Sequence, residues 1–130
     1  MLHQSEHVGQ LGVIKTMEIC SRRGWVCSLP TLNCRYDLLI DRNNGKIDRV
    51  QIKTTNSKKS DGTFRVRLKK HNRTYNAKEI DILVIYIPSL EKLVGLYPKH
   101  FNNKTDLILR FEKSDRYENT NALQINKHLF

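Results

Sequence analysis

The chain is poor in acid, cysteine, proline and long apolar runs, and each shortage removes a class of explanation. Asp and Glu number 13 against 23 Lys and Arg, a formal charge of +10, so the long-range field favours a polyanionic partner. Cys20, Cys27 and Cys34 form an odd set with no C-x-x-C pair. That pattern fits neither a disulfide framework nor a zinc ribbon and points to free thiols in a reducing compartment. The longest apolar run, ILVIYI at 82–87, is far too short to span a bilayer. MLHQSEHVGQ lacks a basic stretch followed by an apolar run, so the expectation is a soluble cytoplasmic protein without membrane association. No repeat, low-complexity tract or Pro/Gly-rich linker divides the 130 residues, and one domain over 1–130 is expected. There is no Ser or Cys nucleophile arrangement and no phosphate-cradling glycine loop. His3 and His7 are spaced i,i+4 but lack the glutamate of an H-E-x-x-H site, and His71, His100 and His128 are isolated.

The positive charge is concentrated. Residues 46–78 hold eleven Lys or Arg (46, 49, 53, 58, 59, 65, 67, 69, 70, 73, 78) against Asp48 and Asp61. FRVRLKK at 64–70 alternates Phe64, Val66 and Leu68 with Arg65, Arg67 and Lys69, a strand with one apolar and one basic face. With Lys58, Lys59, Lys70 and Arg73 these residues make a candidate phosphate-tracking surface, the alternative being an edge strand blunted by charge. Tyr75, Tyr86, Tyr97 and Tyr117 read as core or rim aromatics.

The spacing predicts a helix from Ser5 to about Arg23, with Val13, Met17 and Cys20 on its inner stripe and Ile14 beside it, closed by RRG. WVCSL reads as a short strand ended by Pro30. Further strands are predicted at 36–41, 47–55, 64–70, in DILVIYIP as a strand buried on both sides, and in KLVGLYP and DLILRFE. Residues 98–104 read as a loop or single helical turn, and NALQINKHLF as either helix or strand. The fold class expected is α/β: an N-terminal helix packed on a mixed sheet of about five or six strands.

The hairpin CRYDLLIDRNNGKIDRVQIKTT raises the chemical question. A three-residue Asn43-Asn44-Gly45 loop with Gly in the left-handed region pairs Arg42 with Lys46 and sets Asp37 opposite Gln51. Leu38, Ile40, Val50 and Ile52 then fill the other face. A two-residue turn would instead place Asp37 among the apolar set. In the three-residue register a carboxylate, a carboxamide and the backbone carbonyl of Ile52 offer hard oxygens to Mg²⁺, while Lys53 stands beside the reacting phosphate or water. The alternative is a solvated polar face.

GWVCSLP, RYDLLID and VQIKTT, with the helix before them, resemble the PD-(D/E)XK nuclease superfamily. Within it they are most similar to the small Gln-x-Lys branch that includes a cyanobacterial group I intron homing endonuclease. The resemblance covers residues 9–55 closely and 79–98 more loosely. It implies a restriction-endonuclease-like core, Mg²⁺-dependent cleavage of double-stranded DNA with Mn²⁺ able to substitute, and assembly as a homodimer or homotetramer. Residue by residue, it assigns Asp37 and Gln51 as metal ligands and Lys53 as the motif lysine. The chain departs from the family at Val13, where a helix glutamate is expected eleven residues before Gly24. Gln10, one turn earlier, and Glu6, two turns earlier, are weak substitutes as ligands, and a shift of helix register would make Glu6 or Glu18 the family glutamate. The readings are therefore a site-specific endonuclease impaired by Val13, a structure-specific junction resolvase, or a DNA-binding module that keeps the fold.

Overall fold

In the computed structural model, residues 4–56, 58–59, 61–70, 72–111 and 122–130 are described. Helix α1 (Gln4–Arg22) leads into β1 (Val26–Ser28). The predicted closure of the helix is realised as a paired cap. Gly24, at φ +73°, donates its N–H to the Ser21 carbonyl at 3.1 Å, and Trp25 donates to Cys20 at 2.9 Å, so two orphan carbonyls of the last turn are satisfied.

The inner stripe of α1 is rotated from the expected one. Gly12, Thr16 and Cys20 are buried at the seam, Val13, Met17 and Ile19 flank it half-buried, and Ile14 is exposed. Gly12 explains the rotation, because a Cβ there would lie 3.2 Å from Ile52 Cγ2 and 3.3 Å from Thr54 Oγ1 and Tyr86 Cβ. The backbone itself rests on the sheet at this point.

After β1 come β2 (Leu38–Asp41), β3 (Ile47–Thr54), β4 (Thr63–Arg67), the hairpin β5 (Lys69–Lys70) and β6 (Arg73–Thr74), and β7 (Ile82–Ile87). A 3-10 turn at Pro88–Leu90, β8 (Lys92–Leu96), α2 (Pro98–Phe101), β9 (Asp106–Arg110), β10 (Leu123–Gln124) and a 3-10 turn at Ile125–Lys127 complete the order. The main sheet runs β1-β2-β3-β7-β8, with β3 and β7 parallel and the other neighbours antiparallel. The β2–β3 register pairs Leu38 with Val50, Ile40 with Asp48 and Asp41 with Ile47, the register of a three-residue loop; Asn43 and Gly45 both adopt positive φ.

The strands predicted in FRVRLKK and DLILRFE do not join this sheet. They pair with each other, β4 antiparallel to β9, and with β10 form a second sheet of three strands. Phe64, Val66, Leu68, Leu107 and Leu109 pack it against one face of β7 and β8, while α1 covers the other face through Leu38, Ile40, Val50, Ile52, Val84 and Tyr86. All six residues of β7 are buried because both faces are roofed, as its unbroken apolar run predicts. The terminal segment is part strand and part 3-10 turn. Among the described residues no helix is long and apolar enough to cross a membrane.

Candidate active site

At the start of β2 the ladder to β3 changes character. Asp37 lies just outside the strand and donates its backbone N–H to the Val50 carbonyl at 2.8 Å. Beyond this point β3 runs on without β2 beside it, so the N–H and C=O of Ile52 need other partners. The Ile52 N–H donates to Asp37 Oδ2 at 3.0 Å, and the Ile52 carbonyl accepts from Gln51 Nε2 at 3.2 Å. Two side chains thus replace a missing strand and are gathered around one peptide. Gln51 is 4 % exposed, and its Oε1 is buried without a hydrogen-bond partner among the described residues. A buried carboxamide oxygen left unmatched is costly unless something else meets it.

Gln51 and Lys53 lie beside Leu83 and Ile85 of β7, on the face of the sheet away from α1. Lys53 Nζ stands 5.4 Å from the centroid of the Tyr75 ring. Tyr75 is fully buried, and burial, reinforced by the charges of Asp37 and Glu79 and opposed by Arg35, pushes its phenol up to about 12. The structure therefore brings Asp37, Gln51 and the Ile52 carbonyl together, with Lys53 two residues further along the same face.

The helix contributes no carboxylate here among the described side chains. Val13 packs on the α1 side of the sheet, Gln10 is exposed, and Glu18 pairs with Arg22 at 2.8 Å. The Glu6 side chain lies outside the described residues. No group of three or more His, Cys, Asp or Glu side chains clusters among those described, so the oxygens on offer are one carboxylate, one carboxamide and one carbonyl. That set still suits a hard divalent cation in kind, and the orphaned Gln51 Oε1 is the atom such an ion would satisfy.

The basic side chains are spread over a neighbouring surface. Arg65 and Arg67 point outward from β4, as the alternation predicts, but Arg65 Nε pairs with Asp106 Oδ1 at 3.1 Å. Arg73 pairs with Glu79 at 3.3 Å. Lys58 and Lys59 are exposed, Lys58 with its ammonium 5.6 Å from the Phe111 ring, and Lys69 is half-buried; the Lys70 side chain lies outside the described residues. Of the tyrosines, Tyr75 and Tyr86 are buried and Tyr97 is 47 % exposed, while Tyr117 lies outside the described residues. His3 and His71 also lie outside them, and His7 is exposed.

Sequence reasoning missed Arg35 and Glu79. Arg35 Nε meets Glu79 Oε2 at 2.8 Å, and the guanidinium lies 4.3 Å from the Tyr75 ring centroid. The only sequence signal was the proximity of Arg35 to Asp37. Arg49, on the same face, grips Asp81 with Nε at 3.0 Å and Nη2 at 3.1 Å, and this bonding holds the Asp81 carboxyl below its usual range.

One long helix on a mixed sheet, with this polar corner where β2 leaves β3, has the architecture of a restriction-type nuclease. The chain belongs to the PD-(D/E)XK endonuclease family, whose profile matches residues 3–130. Among solved structures it is similar to a bacterial homing endonuclease, I-Ssp6803I, with a TM-score of 0.77 at 17 % identity, over 98 % of this chain and 88 % of that one. At that identity the likeness is one of fold. No curated protein matches the chain.

Proposed function

We propose that the chain is a metal-dependent endodeoxyribonuclease of the homing or restriction type, hydrolysing phosphodiester bonds of duplex DNA in the cytoplasm with Mg²⁺, or Mn²⁺ in its place. The observation that carries this reading is the buried Oε1 of Gln51, without a partner among the described residues and set on the same peptide as the Asp37 carboxylate. Asp37, Gln51 and the Ile52 carbonyl would hold the ion, which when bound supplies Lewis acidity and an activated water. Asp37 contributes the negative charge of the site. Lys53 offers an ammonium to the phosphate as its charge grows, stabilisation that is worth most where water is excluded. Lys58, Lys59, Arg65, Arg67, Lys69, Lys70 and Arg73 are the residues assigned to the DNA backbone, with the charges of Arg65 and Arg73 partly offset by Asp106 and Glu79. Cleaving both strands with one site per chain calls for a homodimer or homotetramer, which sedimentation would reveal.

Incubation with Mg²⁺ and duplex DNA tests this reading. Nicking by wild type and its loss in Asp37→Ala and Lys53→Ala support it; no cleavage of linear or branched DNA, or undiminished cleavage by both variants, sinks it. The single carboxylate among the described side chains favours a second reading, a DNA-binding module with little turnover. Binding that persists in EDTA, falls steeply with salt and changes in Lys53→Gln only by the loss of one charge would identify it. Preference for four-way junctions over linear duplex would mark a resolvase.

A further inference from the structure

Tyr75 sits in NRTYNAKE, a mostly polar stretch in which Thr74 and Asn76 flank it directly, yet it is 0 % exposed. Its backbone is tied down where the Asn103 N–H donates to the Tyr75 carbonyl at 2.8 Å, and its hydroxyl has no hydrogen-bond partner among the described residues. The ring is what its neighbours use. Arg35 approaches the centroid to 4.3 Å and Lys53 Nζ to 5.4 Å, both within the roughly 6 Å over which an aromatic quadrupole attracts a cation.

Two cations against one ring repel each other unless one is offset, and Glu79 offsets Arg35 at 2.8 Å while also meeting Arg73 at 3.3 Å. Asn76 Nδ2 holds the second oxygen of Glu79 at 2.9 Å, and Arg35 Nη2 donates to the Thr74 carbonyl at 2.7 Å. Arg35 is thereby committed to the 73–79 segment. Lys53 is the cation of the pair that lies on the site strand.

We propose that Tyr75 is a positioning residue for Lys53, its ring, backed by the Arg35–Glu79 pair, setting where the ammonium stands beside Asp37 and Gln51. The proposal rests on the reading of Lys53 as the lysine of a nuclease site. A lysine stem is long and freely rotating, and an aromatic wall restricts it before substrate arrives, which is the kind of pre-orientation that raises a rate without tightening binding. The ring carries the role and the hydroxyl does not.

The experiment uses the full chain, with Tyr75→Phe, Tyr75→Leu and Glu79→Gln. By NMR, the ε-methylene of Lys53 is ring-current shifted in wild type and in Tyr75→Phe, and loses that shift in Tyr75→Leu. With supercoiled plasmid and Mn²⁺, Tyr75→Phe retains most of the single-turnover nicking rate, whereas Tyr75→Leu loses about 10- to 100-fold with plasmid affinity unchanged in Ca²⁺. Should Tyr75→Leu fail to fold, Glu79→Gln decides. It removes the carboxylate that backs Arg35, so Arg35 and Lys53 repel each other across the ring and the ring-current shift of the Lys53 ε-methylene falls. An identical Lys53 shift in wild type and Tyr75→Leu, equal rate losses in Tyr75→Phe and Tyr75→Leu, or an unchanged Lys53 shift in Glu79→Gln overturns the proposal. If wild type does not nick the plasmid, the nuclease reading falls, and the Lys53 shift still decides whether the Tyr75 ring positions the amine.

Discussion

On the α1 side of β3, Val50 and Ile52 are buried against Leu38, Ile40 and Val84, and the backbone of Gly12 rests on Ile52 and Thr54. On the other side Arg49 grips Asp81, Gln51 keeps an unmatched oxygen, and Lys53 leans on Tyr75. The two faces alternate residue by residue along one strand, so the same backbone is held rigid by packing on one side while it presents polar groups on the other. Rigidity supplied from behind helps a site keep its geometry.

Substitutions that separate the two faces test this division. The largest effect is expected at the polar corner: Asp37→Ala and Lys53→Ala each lower the nicking rate about 10²- to 10³-fold, with thermal unfolding close to wild type in Lys53→Ala and a loss of about 1–3 kcal/mol in Asp37→Ala, which leaves the Ile52 N–H unmatched. A large fall in Tm in Lys53→Ala instead would mean that this residue belongs to the packing. Ile40→Ala, on the α1 face, is expected to lose about 2–5 kcal/mol of stability in denaturant titration, with the rate per folded molecule retained. Gly12→Leu should cost about 1–3 kcal/mol, because the added side chain meets Ile52, Thr54 and Tyr86; stability equal to wild type would show that α1 does not rest on the sheet there.

A smaller effect is expected from acid. The Asp81 carboxyl is held below its unfolded value chiefly by the Arg49 hydrogen bond. Its contribution is therefore fully present above the ordinary carboxylate range and is lost as pH falls through the depressed folded value. Asp81→Asn should flatten the stability decline between about pH 5 and 2, seen by chemical denaturation across that range. Least of all, Arg67→Ala should lower the slope of log affinity against log salt by about 1. Arg65→Ala should change it less, since Asp106 already offsets that charge.

The hairpin was legible in the sequence because its information is local. Alternation over 36–55 and an Asn-Asn-Gly loop admit one register that keeps the apolar residues together, and the strands pair in that register. The family was legible for the same reason, since Asp37, Gln51 and Lys53 fall within a single hairpin. The inner face of α1 was not, because apolar periodicity points to Val13 and Ile14 while close approach at a glycine rotates the helix about that contact. FRVRLKK and DLILRFE were readable as strands but not as members of a second sheet, since alternation reports a buried face without saying what covers it.

By itself, then, the sequence determined the elements whose cause lies within a few residues: the capped helix, the register of β2 on β3, the doubly buried β7 and the concentration of positive charge. Only the tertiary structure decided that Tyr75 is buried amid polar neighbours, that Arg35 meets Glu79 across 44 residues of chain, and that the Gln51 oxygen is left without a partner among the described residues. Those outcomes depend on which distant segments close over a side chain, and burial of a polar group is a property of its cover.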